Sequence, residues 1–205
     1  MKWMINDENI LNKCFNRLGD LIVLNVLFIL FSIPIVTIGA SFTALSYCCL
    51  KIVKERECSG KIFFKAFKEN FKPSTQVWVC YLIIMTILLS NLRFLNTIDA
   101  LAGHLLRYLS LALLAIIHFT LLYLLPAIAV FNNQVHVLVK DMFILSLEHI
   151  VTTILILVIW LIFISLTISD TSMIHLYLFL WLTIGFSTVT LGSAYLLYQK
   201  FKKYL

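Results

Sequence analysis

Two polar side chains lie inside or directly beside long apolar runs, where an ionisable group is costly and therefore often functional. His118 is in the middle of one run, and Asp20 stands immediately before another. His118 can relay a proton, or it can hydrogen-bond a neighbouring helix, with Thr120 or a backbone carbonyl to satisfy it. Asp20 can pair with Arg17, three residues away on the same helix face. For both residues the structural interpretation is favoured over a catalytic one.

The sequence lacks the motifs of common catalytic and metal sites. It contains no G-x-x-x-x-G-K-[ST], no H-E-x-x-H and no G-x-S-x-G motif, and its apolar runs hold no paired carboxylates. Its five cysteines include no C-x-x-C pair, so we interpret them as small hydrophobic residues. We therefore expect a protein that is not an enzyme and that has no metal site and no cofactor.

The composition indicates a protein that resides in a membrane. Of 205 residues, 61% are hydrophobic and 13% are charged, whereas a soluble domain has about 45–50% apolar and about 25% charged residues. The net charge of +6 comes from basic residues between the apolar runs, which indicates membrane topology rather than binding to nucleic acid. The sequence thus predicts a single all-α integral membrane domain, residues 1–205, with the lipid bilayer as its partner.

Four apolar stretches are each long enough to cross a bilayer as a helix, which takes about 20 residues. They comprise residues 73–95, 108–131, 150–168 and 173–198. Together with an N-terminal segment they predict a polytopic transmembrane bundle of five or six membrane helices.

The N-terminal apolar segment, residues 21–50, is interrupted by Pro34 and Gly39, and Thr37 can cap a second helix that begins after it. The segment is therefore either one kinked span or a helical hairpin. The hairpin places fourteen Lys and Arg residues on the cytoplasmic side and two outside, and a single span places eleven and five. Because positive charges favour the cytoplasmic side, the hairpin is preferred, with both termini in the cytoplasm.

Residues 51–72 form a basic segment with the pattern of an amphipathic helix. On a helical wheel, four phenylalanines share one face beside a face of four lysines. These residues are Phe63, Phe64, Phe67 and Phe71, and Lys61, Lys65, Lys68 and Lys72. We expect this helix to begin at Ser59 or Gly60 and to end at Pro73. It would lie in the cytoplasmic headgroup layer or pack on the bundle with its lysines in water.

Two runs carry a resemblance to a known family. Leu24–Tyr47, with Pro-Ile-Val-Thr-Ile-Gly at its centre, and Phe63–Lys72 resemble the bacterial YesL-like membrane proteins, a family defined as a domain of unknown function. The resemblance implies an integral protein of the bacterial cytoplasmic membrane, encoded near genes for carbohydrate uptake and breakdown. It implies no catalytic residue. The most recognisable positions are Pro34, Thr37, Gly39, Asn70 and Phe71.

Three functional hypotheses follow. The leading one is a non-enzymatic accessory protein that contacts a partner, such as a carbohydrate transporter, through its outer loop or through the helix around Phe63–Phe71. The alternative is a small transporter or channel, because irregular backbone at residues 34–39 is tolerated at membrane depth only against protein or water. An intramembrane enzyme that uses His118 or Asp20 ranks last.

Overall fold

A computed structural model of the protein describes residues 2–55, 58–97, 100–131, 133–169 and 173–202, with side chains from Arg17 onward. In these ranges the chain is almost entirely helical and has no strand, which confirms the all-α prediction. The helices are α1 (Lys2–Ser32), α2 (Ile38–Glu55), α3 (Gly60–Leu95), α4 (Leu101–Val130), α5 (Val135–Glu148), α6 (Ile150–Ser169), α7 (Ile174–Leu180) and α8 (Phe186–Phe201). A 3₁₀ turn, Ile35–Thr37, joins α1 to α2, and a π-helical segment, Trp181–Gly185, joins α7 to α8.

Five helical stretches are long and apolar enough to cross a membrane. They are Ile35–Glu55, Gly60–Leu95, Leu101–Val130, Ile150–Ser169 and Ile174–Phe201. Many large apolar side chains on them are exposed; those of Leu161, Ile168 and Phe179, for example, are 60–70% exposed. Lipid-facing residues are exposed in this way, whereas a soluble domain rarely exposes so many large apolar side chains. The protein is therefore a multi-pass membrane protein, and its predicted spans fall within α3, α4, α6 and the continuous helix that ends in α8.

The N-terminal segment is a hairpin rather than a kinked span. Asn25 on α1 and Cys49 on α2 lie equally far along the chain from Thr37. Both reach Ser187, since Asn25 Oδ1 accepts from its backbone N–H at 3.0 Å and Cys49 Sγ lies 3.8 Å from its carbonyl oxygen. Two residues on either side of the turn meet at one point only if α1 and α2 run antiparallel.

Helix α2 lies at the centre of the bundle. It packs against α1, α3, α4 and α8, and its inward residues are small. Ala40, Ala44, Cys48 and Cys49 are completely buried. Small side chains let helix backbones approach closely, which explains why one short helix can contact four neighbours.

The expectation of a separate amphipathic helix that ends at Pro73 is wrong. Helix α3 begins at Gly60, as expected, but runs without interruption through Pro73 to Leu95. Its 36 residues make a rod of about 54 Å at 1.5 Å per residue. Packing on both sides of the proline overrides its helix-breaking tendency: Phe63 contacts α1, and Ser74 contacts α2.

Helix α5 was not predicted, because its 14 residues are too few to span a membrane and carry Lys140 and Asp141. Leu138, Met142 and Leu145 are nevertheless buried at helical spacing. Packing of that apolar stripe against α4 stabilises a helix in the segment that connects two spans.

Candidate functional site

Thr37 stabilises the turn between α1 and α2 by hydrogen bonds. Its hydroxyl lies 2.6 Å from the carbonyl oxygen of Phe31 and 2.7 Å from that of Pro34. The Thr37 backbone N–H donates to the Pro34 carbonyl at 2.9 Å. The prediction that Thr37 caps the start of α2 is therefore wrong. Its single hydroxyl proton is placed to donate to the Phe31 carbonyl at the end of α1 or to the Pro34 carbonyl in the turn.

Gly39 is required for the contact between α2 and α3, rather than for a turn. A Cβ atom at this position would lie 2.4 Å from Trp78 Cβ and 2.9 Å from the Ser74 carbonyl oxygen. Both of these atoms belong to, or are fixed to, the α3 backbone and cannot rotate away. Glycine is thus the residue that permits the approach of the two helices at this point.

A line of aromatic side chains connects the hairpin turn to His118. Trp78 Nε1 donates to the Ile35 carbonyl at 2.8 Å. The Trp78 ring stacks on Tyr81 with 5.4 Å between centroids, and Tyr81 Oη lies 2.9 Å from His118 Nδ1. His118 therefore has a partner on a neighbouring helix, as the structural interpretation expected. The partner is Tyr81, whereas the hydroxyl of Thr120 donates to the Ile116 carbonyl.

This line also bears on the transporter hypothesis. The backbone between α1 and α2 is irregular, yet the carbonyls of Phe31, Pro34 and Ile35 accept hydrogen bonds from Thr37 or Trp78. The Pro34–Gly39 break is thus bonded by protein, which is the condition that irregular backbone needs at membrane depth. It gives no specific support for a water-filled pathway there.

The aromatic face of the basic segment is divided between the bundle and the surface. Phe63 is completely buried and Phe67 is half-buried. Both lie against Phe31, with ring centroids 6.1 and 4.8 Å away, and the Phe64 ring lies 6.0 Å from Phe31 as well. Phe64 and Phe71 remain 52% and 40% exposed. The segment is therefore fixed to the end of α1 mainly by Phe63 and Phe67, with Phe64 at the edge of that contact. The outer surfaces of Phe64 and Phe71 remain open.

The polar face of the same segment is open. Lys61, Lys65, Lys68 and Lys72 are all exposed. Lys65 lies 3.9 Å from Glu69, a loose surface pair that contributes little to stability. The amide of Asn70 donates to the Ala66 carbonyl one turn earlier at 2.9 Å, so Asn70 bonds within α3 rather than to the hairpin. We name the exposed Phe64, Phe71 and these four lysines the α3 basic face.

Asp20 is half-buried and near enough to Cys58, in the connection between α2 and α3, for its charge to act on that thiol. Cys58 is itself buried. The hydrogen bond from Cys48 lowers the pKa of the Cys58 thiol, and burial opposes that shift. Among the described residues no group of three or more His, Cys, Asp or Glu side chains is placed to hold a metal.

Asn25, which was not predicted as a site residue, is completely buried. Its amide nitrogen donates to the carbonyls of Trp181 and Leu182 at 2.9 and 2.8 Å, and its oxygen accepts from Ser187 N at 3.0 Å. These backbone groups lie where the last helix changes to the wider π form, which redirects some of its internal bonds. The sequence signal that could have identified it is a single asparagine within the apolar run 21–31.

Residues 21–92, about a third of the chain, match the model of a family described as a protein of unknown function, DUF624. The match covers the hairpin from Leu21, the α3 basic face and most of α3. It confirms the expected resemblance to a family of unknown function and is consistent with the YesL-like proteins. No curated protein and no solved structure matches the chain.

Proposed function

We propose that this protein is a non-enzymatic accessory protein of the bacterial cytoplasmic membrane, which docks a partner on the α3 basic face. The proposal rests on the division of this segment between side chains that pack on the bundle and side chains that stay exposed. Phe63 and Phe67 fix the helix to the bundle, and Phe64, Phe71 and four lysines are presented together on its exposed side.

Rigidity makes this face suitable for protein contact. Because α3 is continuous through Pro73, its first half cannot lie flat in the headgroup layer while its second half crosses the bilayer. At about 54 Å, α3 also exceeds the bilayer core of about 30 Å by some 24 Å. We place this excess at the cytoplasmic end, with both termini on the same side, because the lysines follow the positive-inside preference.

The chemistry of the face defines its partner. Two exposed aromatic rings beside four cations are complementary to an apolar patch rimmed by acidic residues. Aromatic residues are enriched in the energetically important centres of protein interfaces, and the charges steer the encounter. A component of a carbohydrate uptake system is the partner that the family resemblance favours.

Site-specific photo-crosslinking in cells tests this proposal. A photoreactive phenylalanine analogue is placed at Phe64 or Phe71, and at Phe179 as a control that is 61% exposed on α7. We expect the first two positions to yield one crosslinked membrane protein that is absent at Phe179. Lys68→Glu should abolish that product because it reverses a charge in the contact.

Two outcomes would contradict the proposal. One is that all three positions give the same products. The other is that Phe64 and Phe71 yield only lipid adducts or dimers of this chain.

A further inference from the structure

A second surface, separate from the α3 basic face, is a lateral groove formed by α3, α4 and α5. It has a volume of about 950 Å³, at the upper end of the range of about 300–1,000 Å³ typical of small-molecule sites. Its walls are mainly aliphatic and aromatic, as in Val77, Ile84, Leu113, Ile117, Val139 and Phe143.

The two ends of the groove differ in polarity. The contact between Tyr81 and His118 fixes the register of antiparallel helices α3 and α4. It places Gln76 at one end of the groove, and Ile84 with Leu113 at the other. The Gln76 end is the end nearer to the basic half of α3, and the opposite end is lined by aliphatic side chains.

Helix α5, which follows the end of α4, adds a lysine to the groove and keeps its acids on its opposite face. His136 and Lys140, one helical turn apart, line the groove and are exposed. Asp141 and Glu148 line a different cavity with Met142 on the other side of α5. Among the described residues that line the groove there is no Asp or Glu, so no acid in the lining opposes the attraction of Lys140 for a negative ligand group.

We propose that this groove binds one anionic phospholipid, with its acyl chains along the apolar walls and its phosphate at Lys140. The walls open sideways between helices long and apolar enough to span a membrane, so acyl chains reach them directly. Basic pockets between transmembrane helices on the cytoplasmic side are recognised sites for anionic headgroups. A lysine extends its ammonium toward the headgroup layer while its methylene stem stays in apolar surroundings.

Native mass spectrometry of the full-length protein in mild detergent tests the site, with added phosphatidylglycerol or phosphatidylcholine as the probe. We expect one phosphatidylglycerol to be retained in preference to phosphatidylcholine. Lys140→Gln should weaken that binding about fivefold, the factor that corresponds to about 1 kcal/mol per lysine near a membrane surface. Ile117→Trp, which fills the groove without changing charge, should also lower occupancy.

Lys202→Gln is the matched control, since Lys202 is exposed at the end of α8 and outside the groove, and its binding should equal that of the wild type. Equal retention of the two lipids, or equal loss from the Lys140 and Lys202 variants, would overturn the proposal. A monodisperse elution profile for each variant shows that the comparison is between folded proteins. Neither result depends on whether a protein docks on the α3 basic face.

Discussion

Asn25 is the buried residue whose loss should loosen the bundle most clearly. Its side chain makes three hydrogen bonds of 2.8–3.0 Å to backbone groups of the π-helical segment and the start of α8. These bonds join the first arm of the hairpin to the last helix, more than 150 residues later in the chain. Asn25→Ala removes all three and leaves two carbonyls and one N–H without this partner.

The expected cost follows from these bonds. Interhelical hydrogen bonds in membrane proteins contribute about 0.6 kcal/mol each on average, which gives about 2 kcal/mol for three. An N–H or carbonyl left buried and unsatisfied adds a desolvation penalty of about 1–3 kcal/mol. We therefore predict a loss of about 3–5 kcal/mol in the free energy of unfolding.

Thermal or denaturant unfolding in detergent measures this change. A second readout is the alkylation rate of Cys49, which is completely buried and lies 3.8 Å from the Ser187 carbonyl. Loosening of α8 should expose it, so its alkylation should accelerate in Asn25→Ala with the other cysteines replaced by serine. Asn91→Ala is the control, because Asn91 is exposed on α3 and should change neither readout.

An Asn25→Ala protein as stable as the Asn91 variant, with Cys49 still protected, would show that these hydrogen bonds do not hold α1 to the last helix. It would mean that water or a rearranged helix replaces the asparagine at no cost. Asn25→Asp discriminates further: it still accepts from the Ser187 N–H but cannot donate to the two carbonyls, so it should also be destabilised.

The remaining predictions concern helix contact, the buried histidine and a thiol. Gly39→Ala should lower the free energy of unfolding by about 1–3 kcal/mol in detergent, because the added Cβ forces α2 and α3 apart. Tyr81→Phe and His118→Ala should show a coupling of about 0.6 kcal/mol in a double-mutant cycle. Cells that carry His118→Ala should behave like cells that carry the wild-type protein. Cys48→Ala should raise the pKa of the Cys58 thiol, so that its alkylation rate at a given pH falls, as a pH titration of that rate will show.

Each of these predictions has a result that counts against it. Gly192→Ala is the control for Gly39, since its new Cβ would meet only ordinary contacts at 3.8 Å and the change should be neutral or stabilising. Equal effects at the two glycines would show that close approach is not the cause. Additive effects at Tyr81 and His118 would mean that their hydrogen bond is not made. If the pH dependence of Cys58 alkylation is unchanged in Cys48→Ala, Cys48 does not donate a hydrogen bond to the Cys58 thiol.

Much of the fold is readable from the sequence because the signals are local. Runs of about 20 apolar residues predict spans wherever they occur, and Pro34 marks the turn by its own backbone geometry. The path of the chain at Pro73 is not a local property. There, contacts of Phe63 and Ser74 with other helices hold α3 continuous, and a single sequence does not reveal those contacts.

Only part of the candidate site could be predicted, because only part of it depends on the local sequence. Helical periodicity correctly placed the four lysines on one exposed face, since that depends only on spacing. It could not show which phenylalanines would be covered, because the ring that meets them, Phe31, comes from a different part of the chain. Phe31 lies against Phe63 and Phe67, touches the edge of Phe64, and leaves Phe71 open. The sequence also could not show which residues Gly39 contacts, since its close approach to α3 involves Trp78, which is distant in the chain.

The mass of the complex purified in mild detergent shows whether the α3 basic face docks a partner protein. We expect the wild-type chain to carry one other membrane polypeptide in a fixed ratio, and we expect Lys65→Glu with Lys68→Glu to remove it while Lys202→Glu does not. Recovery of only a monodisperse homo-oligomer under several growth conditions, or of the same partner with the charge-reversed chain, would contradict it.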